Sequence, residues 1–166
     1  MARIVVAGAG ATGASIAFHL ASLGARDVVL ADKGRVAGGA TAKAMGGVRQ
    51  QFSTAAEVRL AQASIRFFEE LGSPLFDQVG YLFVATTEDG LAALEERRAL
   101  QEELGVPAER VDPSYVDGLR TDDVLGAVVC RTDGTADPPA VARELVRRAI
   151  KLGVEVRRRR QRGEAV

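Results

Sequence analysis

Residues 8–13 read G-A-G-A-T-G, directly behind the apolar run Ile4–Ala7 and ahead of Ala17, Leu20 and Gly24. This order predicts a buried strand, a tight turn and a helix packed on a sheet and stopped by glycine. Asp27–Ala31, D-V-V-L-A, then reads as a second buried strand ending at Asp32. Each residue type answers a physical need. Gly8 permits the turn, Gly10 lets main chain approach a pyrophosphate, and Gly13 lets the helix lie close to the strand. The helix start offers N–H groups and partial positive charge to phosphate oxygens. Asp32, 24 positions after Gly8, is placed to accept from a ribose 2′-hydroxyl and to repel a 2′-phosphate, which favours FAD or NAD over NADP.

Beyond Asp32, an NAD-binding unit would pass through a short loop into a crossover helix. Residues 33–51 instead read K-G-R-V-A-G-G-A-T-A-K-A-M-G-G-V-R-Q-Q. Gly38, Gly39, Ala40, Gly46 and Gly47 allow main chain to pass against a flat ligand, and Thr41 and Lys43 can reach phosphate oxygens. The pattern resembles the D-amino-acid oxidase-like FAD oxidoreductases, in particular the sarcosine oxidase β-subunit and glycine oxidase branch. The resemblance rests on G-A-G-A-T-G, Asp32-Lys33, A-G-G-A-T, G-G-V-R-Q at 46–50, Gly80-Tyr81-Leu82, and D-G-T-A-D-P at 133–138. It implies FAD as cofactor, held by Gly8, Gly10, Thr12, Gly13, Asp32, Lys33, Ala40, Thr41, Gly46 and Gly47. It also implies oxidation of an amine or amino acid of sarcosine, glycine or D-amino-acid type, by hydride transfer to flavin. Arg49 is the implied catalytic-site residue, pairing with a substrate carboxylate or with charge on reduced flavin; a structural ion pair is its other reading. Met45 and Gln50 are lesser candidates for the same lining. Asp32 stands where that family more commonly has glutamate. Members of the family are much longer, so the resemblance covers an N-terminal portion.

Composition narrows the other classes. The 166 residues are 47% apolar and 27% charged, which describes a globular chain. The formal charge of zero hides an asymmetry: residues 1–142 carry 13 basic and 19 acidic groups, and residues 143–166 carry 9 and 3. Arg157–Arg160 and Arg162 lack interleaved aromatics, so the expectation is a solvated or disordered tail and no nucleic-acid partner. Cys130 is the one cysteine and His19 the one histidine, which argues against a disulfide framework or a Cys/His metal site and for a reducing, cytoplasmic setting. Cys130 reads as a small buried hydrophobe and His19 as a surface or packing residue. The uncharged stretch Ile4–Ala25 is diluted by glycines and changes period, unlike a signal peptide or membrane span. Tyr81 fits a pocket or the core equally.

Thr54 and Glu57 form a capping box for a helix burying Val58, Ala61, Ile65 and Phe68, ending near Gly72. A strand is expected over Gly80–Thr86, a charged helix over Glu88–Leu104 anchored by Leu91, Leu94 and Leu104, a short turn or helix over Val111–Leu119, and a strand over Val124–Arg131. Asp137 caps a helix with Val141, Leu145, Ala149 and Leu152 inward, followed by a strand over Val154–Val156. The fold expected is α/β: an incomplete Rossmann-like FAD-binding sheet, with strands near Ile4, Val28 and Val154, plus part of an inserted α+β substrate-binding region. The ranges expected are 1–74 for the FAD-binding βαβ unit, loop and helix, 75–132 for the substrate-binding region, 133–156 for the return segment, and 157–166 for the basic tail. Two functions follow: part of an FAD-dependent amine or amino-acid oxidoreductase, or a non-catalytic dinucleotide-binding piece requiring a missing C-terminal half or companion subunit. An NAD-dependent dehydrogenase is a third.

Overall fold

A computed structural model describes residues 3–118 and 120–158 of the chain. The chain divides into two compact units, residues 1–46 with 137–166 and residues 47–136.

The first unit is a parallel sheet with helices. Ile4–Ala7 (β1) and Val28–Asp32 (β2) pair in parallel, Ile4 opposite Val28 and Ala7 opposite Ala31. Between them runs Ala11–Ser22 (α1), whose buried face consists of Gly13, Ala14, Ala17 and Ala21. These small residues let the helix lie close to its neighbours. A Cβ on Gly13 would come within 1.8 Å of the Gly8 carbonyl oxygen, so the helix can approach the turn only with glycine there. Pro138–Lys151 (α4) packs beside α1 and leads into Glu155–Arg158 (β9), which pairs in parallel with β2. The sheet order is β1-β2-β9, and its three strands fall at the stretches expected near Ile4, Val28 and Val154. Asp137 caps α4 by accepting the Ala140 N–H at 2.9 Å, and Val141, Leu145 and Ala149 face inward as expected. Leu152 does not: the helix ends one residue earlier, and its side chain is exposed.

The tail expectation changes at its start. Arg157 and Arg158 belong to β9, opposite Ala31 and Asp32, because the parallel ladder continues to the end of β2. Residues 159–166, the remainder of the expected tail, lie outside the described residues.

The second unit is α+β. Gly47–Val48 (β3), Phe76–Asp77 (β4) and Gly134–Ala136 (β8) form one antiparallel sheet in the order β3-β8-β4. Tyr81–Ala85 (β5), Ala108–Val111 (β6) and Gly126–Cys130 (β7) form a second, in the order β5-β7-β6. Ala55–Leu71 (α2) is capped by Thr54, whose Oγ1 accepts the Glu57 N–H at 3.3 Å and donates to the Glu57 carboxylate at 2.7 Å. Glu88–Glu103 (α3) starts at Thr87, which accepts the Gly90 N–H. Val58, Ala85, Leu94, Val106, Val128 and Cys130 form the buried core. Residues 47–74, grouped with the N-terminal unit on sequence grounds, fall in this second unit, because β3 pairs with β8.

Candidate functional site

The glycine turn of the first unit is held from three sides. Gly8, at φ +98°, donates its N–H to the Ala31 carbonyl at 2.7 Å, tying the turn to the end of β2. The Ala9 N–H donates to Asp32 Oδ2 at 2.6 Å, and the Ala9 carbonyl accepts the Ala37 N–H at 2.9 Å, which docks the following loop on the turn. Thr41, in a 3-10 turn over Ala40–Lys43, accepts the Ala11 N–H at 3.0 Å through Oγ1. The helix start therefore receives a hydroxyl from the glycine-rich loop, and the two segments meet where a phosphate-binding site is expected.

A pocket of about 470 Å³ opens there, lined by Gly10, Asp32, Lys33, Arg35, Ala40 and Thr41 among others. A Cβ on Gly10 would stand 2.9 Å from Thr41 Oγ1, so any side chain at residue 10 would crowd the place where turn and loop meet. Asp32 Oδ1 accepts the Gly34 N–H at 2.6 Å. The Ala9 N–H first, then the Gly34 N–H, hold the Asp32 carboxyl below its ordinary range and keep it ionised. A carboxylate has about four acceptor positions, so two backbone donors leave Asp32 with capacity for a hydroxyl. Main-chain access at Gly10, cations at Lys33 and Arg35, and an oriented carboxylate fit an adenosine diphosphate moiety. Asp32 also lines a second opening, of about 430 Å³, with Ala31, Lys33, Arg157 and Arg158.

Of the residues expected to hold the cofactor, Gly10, Asp32, Lys33, Ala40 and Thr41 share the first pocket, and Gly8 and Gly13 shape it from behind. Thr12 is exposed on the first turn of α1 and is not among the lining residues. Lys43 ends the 3-10 turn, Met45 is almost wholly exposed, and Gly46 takes φ +83° at the end of the first unit's N-terminal segment. Arg35 escaped the sequence reading; its signal was a second basic residue in K-G-R immediately after the acid. His19 bonds within α1 through Nδ1 to the Ser15 carbonyl at 2.8 Å.

In the second unit, Arg49 lies exposed over aromatic rings. Its guanidinium carbon is 5.1 Å from the Phe52 centroid, 5.7 Å from Tyr81 and 5.6 Å from Phe83. Tyr81 and Phe83 alternate along β5 and present their rings to the same side, 5.3 Å apart. Tyr81 is thus half-buried beneath a cation, and its ring also abuts Gly47, where a Cβ would be 3.2 Å away. Among the described residues Arg49 makes no ion pair. A planar guanidinium stacked on rings keeps its N–H edge available for a carboxylate. A groove of about 590 Å³ runs beside it, lined by Gly47, Arg49, Phe52, Leu60, Ser64 and Phe68 among others.

Gln50 does not line this groove. It is buried, as is Gln51, and both bind Asp133, a fully buried carboxylate that the sequence offered only as the first residue of D-G-T-A-D-P. Burial pushes the Asp133 carboxyl up, and the Gln50 and Gln51 amides draw it partly back. Burial likewise raises the Cys130 thiol, which is free, so it is an inert packing group. No cluster of metal-ligating side chains occurs among the described residues. No helix among them is long and apolar enough to cross a membrane.

A glycine turn feeding a helix start, an acid closing the second parallel strand, and a loop bent back onto the turn define a dinucleotide-binding α/β protein. The model of the FAD dependent oxidoreductase family matches residues 3–164, and the chain belongs to that family. FAD is therefore its cofactor. The chain is 29% identical to the mitochondrial pyruvate dehydrogenase phosphatase regulatory subunit of Mus musculus, covering 93% of this chain and 19% of that protein. It is 30% identical to the mitochondrial sarcosine dehydrogenase of Homo sapiens, covering 93% of this chain and 18% of that one. Among solved structures it is similar to L-proline dehydrogenase from P. horikoshii, with a TM-score of 0.87, 29% identity, and coverage of 95% of this chain and 44% of that one. The glycine oxidase of Geobacillus kaustophilus shares the fold, with a TM-score of 0.77 at 23% identity, covering 93% of this chain and 46% of that one. The chain thus spans about a fifth of these two curated relatives and under half of these two solved structures.

Proposed function

We propose that the chain is the dinucleotide-binding portion of an enzyme that oxidises an amine or amino acid at the carbon beside nitrogen, and that Arg49 anchors the substrate carboxylate. The observation that carries this reading is Arg49 itself: a guanidinium laid on three rings, without an ion pair among the described residues, in a mostly apolar groove that Glu57 and Ser64 also line. Bound FAD supplies the chemistry of accepting a hydride equivalent from that carbon. The chain's own residues bind and orient. Gly10, Asp32, Lys33 and Thr41 hold the adenosine diphosphate moiety, with Thr12, Ala40, Gly46 and Gly47 giving main chain to the rest of the cofactor. Arg49 fixes the donor by a bidentate carboxylate contact, and Phe52, Leu60 and Phe68 give its apolar part an apolar surface to lie on. The similarity to sarcosine dehydrogenase and L-proline dehydrogenase supports an amine bearing a carboxylate. A chain continuing beyond these residues, or a companion subunit, completes the sites. A free buried thiol supports a reducing, cytoplasmic setting, which cell fractionation tests.

The test compares substrates with and without a carboxylate. Arg49→Ala is expected to raise KM for sarcosine or proline about tenfold or more while leaving a carboxylate-free amine little changed, the pattern of a lost charge-assisted bond. Equal effects on both would remove Arg49 from carboxylate binding. A second reading, a non-catalytic FAD-binding piece, is favoured by the likeness to a phosphatase regulatory subunit. Flavin uptake without reduction by any amine, in the completed protein, would establish it instead.

A further inference from the structure

Arg49 is followed by three residues that are each tied down. Asp133 Oδ1 accepts the Gln50 N–H at 2.9 Å and Gln50 Nε2 at 3.2 Å. Asp133 Oδ2 accepts Gln51 Nε2 at 3.2 Å, and that same amide donates to the Tyr81 carbonyl at 2.9 Å. The Phe52 carbonyl accepts Gln101 Nε2 at 2.9 Å. Asp133 is itself fixed, because its N–H donates to the Cys130 carbonyl and its carbonyl accepts the Gly80 N–H at 2.9 Å. One fully buried residue therefore holds both the backbone that carries Arg49 and the start of the strand that carries the rings beneath it.

We propose that Asp133 is the positioning residue for Arg49, setting the guanidinium over Phe52, Tyr81 and Phe83 through Gln50 and Gln51. This rests on the reading of Arg49 as the carboxylate anchor. The chemistry of the knot explains why a carboxylate is needed. Three N–H donors converge on two oxygens, and an asparagine offers one acceptor oxygen and turns an N–H against the other donor. The amides are neutral, so Asp133 is held without an ion pair that would compete for Arg49. An apolar core with the same volume would give stability alone; a buried, satisfied polar network also fixes a unique geometry. Placing a carboxylate-binding arginine to within a fraction of an ångström is where that geometry acts.

The experiment uses the FAD-loaded protein with acetate as an unreactive carboxylate. It reads the acetate dissociation constant from the flavin spectrum and the Arg49 Nε–H resonance by NMR, where three rings displace it by their ring currents. Asp133→Asn is expected to weaken acetate about tenfold, the cost of a misplaced binding group, and to move the Arg49 resonance toward its position in a mobile arginine. FAD affinity is expected to stay within about twofold, because no bond from Asp133 reaches the glycine turn. If Asp133→Asn does not fold, Gln50→Met carries the test. It keeps the backbone bond to Asp133 and removes the side-chain tie, with acetate weakened about threefold by the same misplacement. Unchanged acetate affinity and an unmoved Arg49 resonance, in either folded variant, overturn the positioning role. Arg49→Ala separates the two ideas: weaker acetate there with no change at Asp133 sinks only the positioning role. Unchanged acetate in Arg49→Ala sinks the carboxylate reading and this inference with it.

Discussion

Asp32 is asked to do two things at once. Its oxygens accept the Ala9 and Gly34 N–H groups, which fixes the glycine turn, and the same carboxylate lines the pocket proposed to take the ribose. Asp32→Ala removes the ribose bond and the ties that preorganise the turn, and is expected to weaken FAD by ~1–3 kcal/mol in a flavin titration. Gly10→Val should be worse, because its side chain meets Thr41 Oγ1 and the phosphate space together. Unchanged affinity in a folded Asp32→Ala protein would take the carboxylate out of the site. The two backbone bonds lower the folded pKa of Asp32 below its ordinary 3.8. Its contribution to stability is therefore complete above that value and is lost as pH falls through the folded one. Fluorescence titration of FAD should give an affinity independent of this group from pH ~8 down to ~5. That Gly10 and Asp32 line one pocket was legible, because the glycine spacing and the acid closing the second strand place them together; the Thr41 bond to the Ala11 N–H was not, since the loop carries no periodicity. The role of Asp133 was not legible, because its partners at Gln50 and Gln51 stand more than eighty positions away.

At the scale of elements, the first helix is limited by how closely it lies to the turn before it. Gly13→Ala places a methyl into the Gly8 carbonyl, and overpacking of that kind costs ~1–3 kcal/mol, measurable as a lower urea midpoint. A midpoint unchanged within error would show that the helix can retreat. α4 carries a different test. Glu144 pairs with Arg147 at 2.6 Å and Arg148 at 2.8 Å, and these bonds hold its carboxyl at about 2, below the ordinary 4.5. The depressed value means that the pairs contribute fully above about pH 4.5 and are lost as pH falls toward 2. Helix pairs of this spacing are worth ~0.3–0.5 kcal/mol each, so Glu144→Gln should lower stability by under ~1 kcal/mol at pH 7 and by much less near pH 2. Equal effects at both pH values would deny the ion pairs. Helices and long strands were read correctly because their apolar periodicity runs for several residues. The two- to four-residue strands β3, β4, β6 and β8 were missed. Glu109 and Arg110 in β6 are exposed, and so short a ladder has no alternation to display. β9 was read short because its arginines looked like a solvated end, whereas its length follows the ladder with β2.

At the scale of the whole molecule, the described residues leave apolar surface open on the parallel sheet and beside Arg49. Parallel sheets ordinarily carry helices on both faces. Here β2 lies between β1 and β9, so each of the outer strands has one side without a hydrogen-bonded neighbour in its three-stranded sheet. Val5 on β1 is 61% exposed, and Leu60, facing the groove beside Arg49, is 71% exposed. Such apolar surface is what a further layer covers, and the relatives have more than twice this length to supply it. Oxidation at carbon requires the donor to be held at the reacting distance with water excluded, and a groove open along an exposed leucine excludes little. The expected outcome is that these 166 residues bind FAD weakly and do not turn over an amine, whereas the protein completed by a covering half or subunit does. Sarcosine, glycine, proline and D-amino acids would be assayed with oxygen and with an artificial acceptor, first with the chain alone and then with the downstream half fused or added. Substrate-dependent flavin reduction by the chain alone, at a rate comparable to the completed protein, would show that Arg49 and the glycine turn already form a sufficient site.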